Sequence, residues 1–507
     1  MKKIMYIPLD ERPCNYNFAA FMLEEEKNMG LVCPPLEILG HKKSPADYLK
    51  LKKFILDNIK DCYGLILSID MLLYGGIVPS RLHTNNQEQL IERLNLVRHL
   101  KEINPELHIF AFSLIMRCPQ YSSSDEEPDY YEHCGYNIFK YGEIKHKISL
   151  GVANQEEIDL LDYHYGKCQG YFEEYVARRE INSDMNIEAV KLLNDRIVDF
   201  LVFPQDDSSL YGLISLDQQK ILKEIKKMGL ENEILIYPGA DEVGMVLVAR
   251  MINKMKNKEP KIHVEYSTPK GHLFVPMFED REIYKTVAKQ IKSSGCVLCD
   301  NVKEADGILM FNTPTLDLED ANITENCCDV LVSEKRDIKG FVDRVTNFVN
   351  AGYRVSIADV AKINRGDVEL VKELNDRGIY LDLAGYSGWN TSSNTLGTAL
   401  AHLINNIHFG YTKSLRKHLA LRVYEDIGYC DHARKYITEN ILEGIGLGYF
   451  NSGQIKGQVS EMVQVEILKH IEAVAPNVYD EYDIEDCYMP WCRMFEVALK
   501  IKERKKQ

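Results

Sequence analysis

GLILSID, residues 64–70, is a short run, apolar but for Ser68, that ends on an acid, and its reading sets the fold. A strand with one solvated face alternates apolar and polar residues. This one does not, so both of its faces are covered. Runs of the same kind stand at 4–7, 31–33, 108–115, 200–203, 234–237 and 262–266. Amphipathic stretches with helix punctuation lie between them. Ser44-Pro45 offers an N-cap and a first-turn proline for a helix through 60, and Ser215 with Gln218 makes a capping pattern. Covered strands alternating with helices form a parallel α/β sheet. Seven such strands precede residue 270, and 272–276 offers an eighth. Residues 1–279 are therefore expected to form a (β/α)8-like barrel, close to the ~250 residues usual for that fold. A doubly wound open sheet is the rival that the pattern leaves standing.

A second series begins near residue 280, with runs at 296–298, 307–311, 354–358 and 379–383 and helices at 281–293, 338–350, 366–376 and 395–408. It predicts a flavodoxin-like α/β domain over 280–411. Residues 412–507 read as a mainly helical C-terminal region. One segment, 119–198, breaks the β/α rhythm and holds nine of the 29 tyrosines. Asn154 and Glu157 form a capping box there, with apolar residues following at helical spacing. As an insertion after a strand it belongs at the sheet's C-terminal edge, packed on the domain or acting as a lid.

Composition narrows the function. Lysines and arginines number 61 against 76 acids, a net charge of −15, which argues against tracking a nucleic-acid backbone. The basic run at 500–506 reads as a solvated tail. The longest apolar stretch, 65–78, is broken by Asp70 and Gly75-Gly76, short of the ~20 residues a membrane span needs. Thirteen irregularly spaced cysteines fit reduced thiols in a cytoplasmic protein better than a disulfide framework.

Polar residues gather where the runs end. After the first come Asp10, Glu11, Arg12 and Asn15; after the third, Asp70, Tyr74, Gly75, Gly76 and Arg81. The fourth ends at Arg117, the next at Gln205-Asp206-Asp207, and the one after at Asp241-Glu242. In a parallel sheet these ends share one edge, where α/β binding sites form. The second series adds Asp359 and then Trp389, Asn390 and Asn394 at a helix start. Zinc spacings are missing: Cys296-x-x-Cys299 has no second pair, and neighbours three apart on a strand point to opposite faces. Nucleotide-binding glycine motifs and a serine-hydrolase elbow are also missing.

Paired carboxylates suit glycoside chemistry, in which one acid gives a proton and the other stays charged. Asp206 and Asp207 are the expected catalytic pair, the other strand-end residues the substrate contacts. No cofactor is expected, although the same acids would suit Mg²⁺ or Mn²⁺ in a metal-dependent hydrolase or lyase. A non-catalytic sugar- or metabolite-binding protein is the third reading. The expected partner is a small, carbohydrate-like molecule, not nucleic acid or a membrane; the oligomeric state stays open.

Residues 8–15 (PLDERPCN), Tyr74-Gly75-Gly76 with Pro79-Ser80-Arg81, Gln205-Asp206-Asp207, residues 239–242 (GADE), residues 358–361 (ADVA) and residues 388–391 (GWNT) with 394–397 (NTLG) resemble the bacterial family catalogued as domain of unknown function 4127. The resemblance spans 8–400. It implies that the strand-end motifs belong to one architecture, and it carries no catalytic role with it.

Overall fold

The structure, a computed structural model, describes residues 2–315 and 336–505. Part of the expected second domain, 316–335, and the tip of the basic tail lie outside the described residues. The protein is α/β, with two parallel sheets. The first contains β1 (Lys2–Ile7), β2 (Met29–Val32), β3 (Cys62–Ser68), β4 (His108–Phe112), β5 (Phe200–Gln205) and β6 (Ile234–Pro238). Their order is β2-β1-β3-β4-β5-β6, and all pairings are parallel. As the two-sided run predicts, Leu65, Ile66 and Leu67 of β3 are fully buried.

The expected barrel is not what forms. Among the described residues β2 and β6 are the edges of an open sheet, and β7 (Lys261–Tyr266) pairs with the second sheet instead. The physical reason is visible in the strands. β5 and β6 are buried along their whole length, whereas β7 carries His263 and Glu265 and is half-exposed. The stretch expected to supply an eighth strand begins in a 3-10 turn, Gly271–Leu273, so nothing joins the edges.

The second sheet adds β8 (Val297–Leu298), β9 (Gly307–Asn312), β10 (Val355–Asp359) and β11 (Gly385–Ser387), in the order β11-β10-β9-β7-β8. Numbered within the sheet this is 2-1-3-4-5, the order reversing beside its first strand. The last strand falls at 385–387 rather than 379–383, where Tyr380–Asp382 makes a 3-10 turn instead. Gly385 has to be glycine: a Cβ there would lie 2.4 Å from the Ser356 hydroxyl and 2.5 Å from His402 Cβ.

The tyrosine-rich segment forms three helices between β4 and β5: Tyr131–Leu150, Gln155–Cys168 and Tyr171–Asn194. Asn154 and Glu157 close the capping box as expected. Tyr131, Ile138, Phe139, Phe172 and Tyr175 bury an apolar core together with Met116 and Cys118 after β4 and Leu213 after β5. Toward the C-terminus, helices Lys413–Arg422 and Gln458–Val474 flank a π-helix, Val423–Ala433. The antiparallel strands β12 (Tyr482–Tyr488) and β13 (Ala498–Glu503) then add a hairpin to a region expected to be mainly helical.

Two compact units share the chain. The first comprises Met1–Glu11, Glu26–Gly244 and Phe278–Asp280; the second comprises Arg12–Glu25, Met245–Met277 and Arg281–Gln507. Among the described residues no helix is long and apolar enough to cross a membrane, and none of the eleven described cysteines is in a disulfide.

Candidate functional site

In the first unit the order of strands reverses between β1 and β3, the kind of crevice where open α/β sheets bind ligands. At the end of β3, Ser68 caps the helix Ile69–Tyr74 by accepting from the Met71 amide. Gly75 ends that helix in the left-handed region (φ 91), its N–H donating to the carbonyls of Asp70 and Met71. A Cβ on Gly75 would sit 2.6 Å from the Ala46 nitrogen. The Gly75-Gly76 break thus allows a second short helix, Ile77–Leu82, which carries Arg81. Tyr74 is buried and stacked on His83 at 4.5 Å.

Arg81 is the hub. Its guanidinium donates to Asp206 at 2.6 Å and to Glu126 at 2.8 Å, and lies 3.5 Å from Glu127. Arg117, at the end of the β4 segment, donates through Nε to Glu127 at 2.9 Å and reaches Glu126 at 3.1 Å and Asp207 at 3.4 Å. The charges therefore alternate: Asp206, Arg81, the Glu126–Glu127 pair, Arg117, Asp207. Burial lowers the pKa of both guanidiniums, yet the carboxylates around Arg81, and Tyr121 followed by the carboxylates around Arg117, hold them above the ordinary arginine range. The insertion fixes Arg117 from behind. Arg179 donates to the carbonyls of Met116 and Arg117, both at 2.7 Å, and the Tyr175 hydroxyl donates to the Arg117 carbonyl at 2.9 Å.

Four carboxylates face two guanidiniums, so protons are favoured on some of the acids. Asp207, in the left-handed region (φ 49) with 27% of its side chain exposed, has its pKa pushed up to about 6. Burial is the main cause and the Asp206 charge adds to it, with Arg117 opposing. Asp70 lies deeper, accepting from the Leu114 amide at 2.8 Å. Burial pushes it up to about 7 against that hydrogen bond, with the Asp206 charge helping. Burial also raises Glu127.

Residues 4–500 match the family model described as Protein of unknown function (DUF4127). The chain belongs to that family. No curated protein and no solved structure matches it.

The other motif residues of this DUF4127 protein fall into further groups. Asp10 is buried, while Glu11 pairs with His41 at 3.0 Å and accepts from the Lys42 amide. At the end of β6, Glu242 is pushed well up by burial and by the charges of Asp241 and Glu279. Nearby, the Gln205 amide donates to Asp280 at 3.1 Å.

Arg12, Asn15, Asp359, Trp389, Asn390 and Asn394 belong to the second unit. Arg12 lies over the Trp491 ring at 4.5 Å and 3.9 Å from Glu496, and Asn15 is buried. Asp359 accepts from the Tyr386 hydroxyl, Asn312 and the Asp367 amide. Burial and the Asp367 charge push it up to about 7, while Arg336 and Lys362 hold the equally buried Asp367 low. Trp389 is a packed residue, not an exposed platform. It is 8% exposed, with its N–H on Thr398 and its edge against Phe18. Asn390 accepts from the Thr391 amide, and the Asn394 amide donates to the Thr391 hydroxyl.

Sequence reasoning missed Glu126 and Glu127, which complete the alternating charges. Their signal was the run Asp125-Glu126-Glu127-Pro128 in the loop after Arg117. Among the described residues, no cluster of three or more His, Cys, Asp or Glu side chains is arranged to hold a metal ion.

Proposed function

We propose that the first unit hydrolyses a sugar-containing substrate, with Asp207 as proton donor and Asp206 as its charged partner. The observation carrying this reading is the contrast between the two adjacent acids. Asp206 is locked in a 2.6 Å ion pair with buried Arg81, whereas Asp207 is partly open to solvent with its pKa raised to about 6. A general acid works best with a pKa near the operating pH, and glycoside cleavage needs one protonated and one charged carboxyl. Tyr121, 44% exposed and near enough to feel the Arg117 charge, offers a ring on which a sugar face can stack. The strand order of the second sheet supports reading that part of the chain as flavodoxin-like, and cysteines outside disulfides suit a cytoplasmic setting.

A panel of chromogenic glycosides, assayed with and without EDTA, tests the reading. Asp207→Asn should lower turnover by about 10²–10⁴, the usual contribution of a positioned acid, while ligand binding is retained. Unchanged turnover in both Asp206→Asn and Asp207→Asn would end the assignment. Activity abolished by EDTA would move it to a metal-dependent hydrolase.

A further inference from the structure

In the second unit, helix Pro13–Phe21, helix Lys413–Arg422 and the β12–β13 hairpin border a groove of about 470 Å³. Small-molecule sites commonly occupy about 300–1,000 Å³. Phe18, Phe21, Leu421 and Ile501 give this one an apolar lining. Two polar atoms of its lining residues lack a hydrogen-bond partner among the described residues: Oε1 of Glu425 and Nε2 of His418. Both residues are more than nine-tenths buried, at 6% and 5% exposure. A buried polar group left unsatisfied costs about 1–3 kcal/mol, and more when charged, so such pairs of atoms are rarely idle.

The chemistry of the two atoms is specific. The other Glu425 oxygen is engaged by Arg422, which leaves Oε1 as a charged acceptor. The His418 ring stacks on Phe21 at 4.0 Å and meets Phe18 edge-on at 5.3 Å. Burial, His402 and Arg422 hold its pKa well below the ordinary range, so the ring is neutral and keeps one nitrogen able to accept. Acids outnumber bases in the lining: Glu24, Glu425 and Asp486 against Lys417 and Lys500. The Phe18 ring already carries the Arg422 guanidinium at 4.2 Å, so a cation on an apolar body is favoured here by the second Glu425 oxygen and the apolar lining.

We propose that this groove binds a small organic cation, a protonated amine on an apolar or aromatic body. Its ammonium donates to Glu425 and His418, and its body lies against Phe18 and Phe21. The reading is independent of the chemistry assigned to the first unit.

Isothermal titration of the full chain with benzylamine, and in parallel with the uncharged benzyl alcohol, tests it. Benzylamine should saturate a single site and bind at least about tenfold more tightly than the alcohol, as expected for a hydrogen bond to a charged group. Glu425→Gln should erase that difference. Ala20→Trp fills the groove from an exposed helix position that also lines it, and should abolish binding without disturbing the Glu425–Arg422 pair. The Ala20 variant therefore carries the test if Glu425→Gln fails to fold. Equal affinity for amine and alcohol, no saturable amine binding by the wild type, or wild-type binding by Ala20→Trp would each overturn the proposal.

Discussion

Asp70→Asn removes a titration while keeping the shape of the side chain. Asp70 is 3% exposed, and its Oδ2 accepts from the Leu114 amide, a bond that an asparagine oxygen can also accept. Burial raises its pKa from 3.8 to about 7. The folded state therefore holds a proton that the unfolded state has already released. Stability from this group is complete below about pH 4 and is lost as pH rises through about 7. At 1.36 kcal/mol per pH unit, the span from 3.8 to about 7 comes to about 4 kcal/mol, of which about 3 falls between pH 5 and 8. Asparagine does not titrate, so the variant should gain on the wild type by that amount between the two pH values. Both tryptophans, Trp389 and Trp491, lie in the second unit, so their fluorescence reports on the wrong place. Hydrogen exchange at the β3 amides is the suitable assay. Protection in Asp70→Asn relative to wild type should rise about a hundredfold from pH 5 to pH 8. A ratio that stays the same within about threefold at both pH values would refute a neutral, buried Asp70.

Three other outcomes are expected. With Asp207 as acid, turnover on the best glycoside should fall as pH rises through about 6, and a pH–rate profile checks this; a flat profile between pH 5 and 8 contradicts the role. Glu127→Gln takes a fully buried carboxylate from between Arg81 and Arg117 and should destabilise the first unit by about 3–5 kcal/mol, read by exchange at β3 and β4. Gly75→Ala combines a left-handed backbone with a Cβ 2.6 Å from a backbone nitrogen and should cost about 2 kcal/mol or more, seen as a lower thermal midpoint.

Strands β3, β5, β6, β9 and β10 were legible because they are buried along nearly their whole length. A run such as 64–68, apolar toward both sides, suits an inner strand of a parallel sheet, and the chain turns into a helix only at Ile69. Whether the strands closed into a barrel was not legible, since closure depends on which partner β7 takes. Its half-polar sequence suits either sheet, and the choice is made by register with Val297–Leu298 and Gly307–Asn312. Residues 379–383 read as a strand although they turn, because a stretch of five residues with a single acid, Asp382, has too little periodicity to tell a strand from a 3-10 segment. At the site, strand ends pointed to Arg81, Arg117, Asp206 and Asp207 because topology alone brings such residues to one edge. Glu126 and Glu127 sit in a loop that no periodicity governs, so only the ion pairs reveal them. Position at a helix start does not tell whether the Trp389 ring faces solvent or, as here, Thr398 and Phe18.

Helix Pro13–Phe21 belongs to the second unit although it is among the first parts of the chain to be made. Its aromatic face meets Trp389 through Phe18 and His418 through Phe21, residues translated nearly four hundred positions later. At about 5–20 residues per second that delay is tens of seconds. During it a pair of phenylalanines leaves the ribosome with nothing native to cover them, an invitation to chaperones. Any attempt to express the two units as separate continuous fragments would strand this helix on the wrong piece.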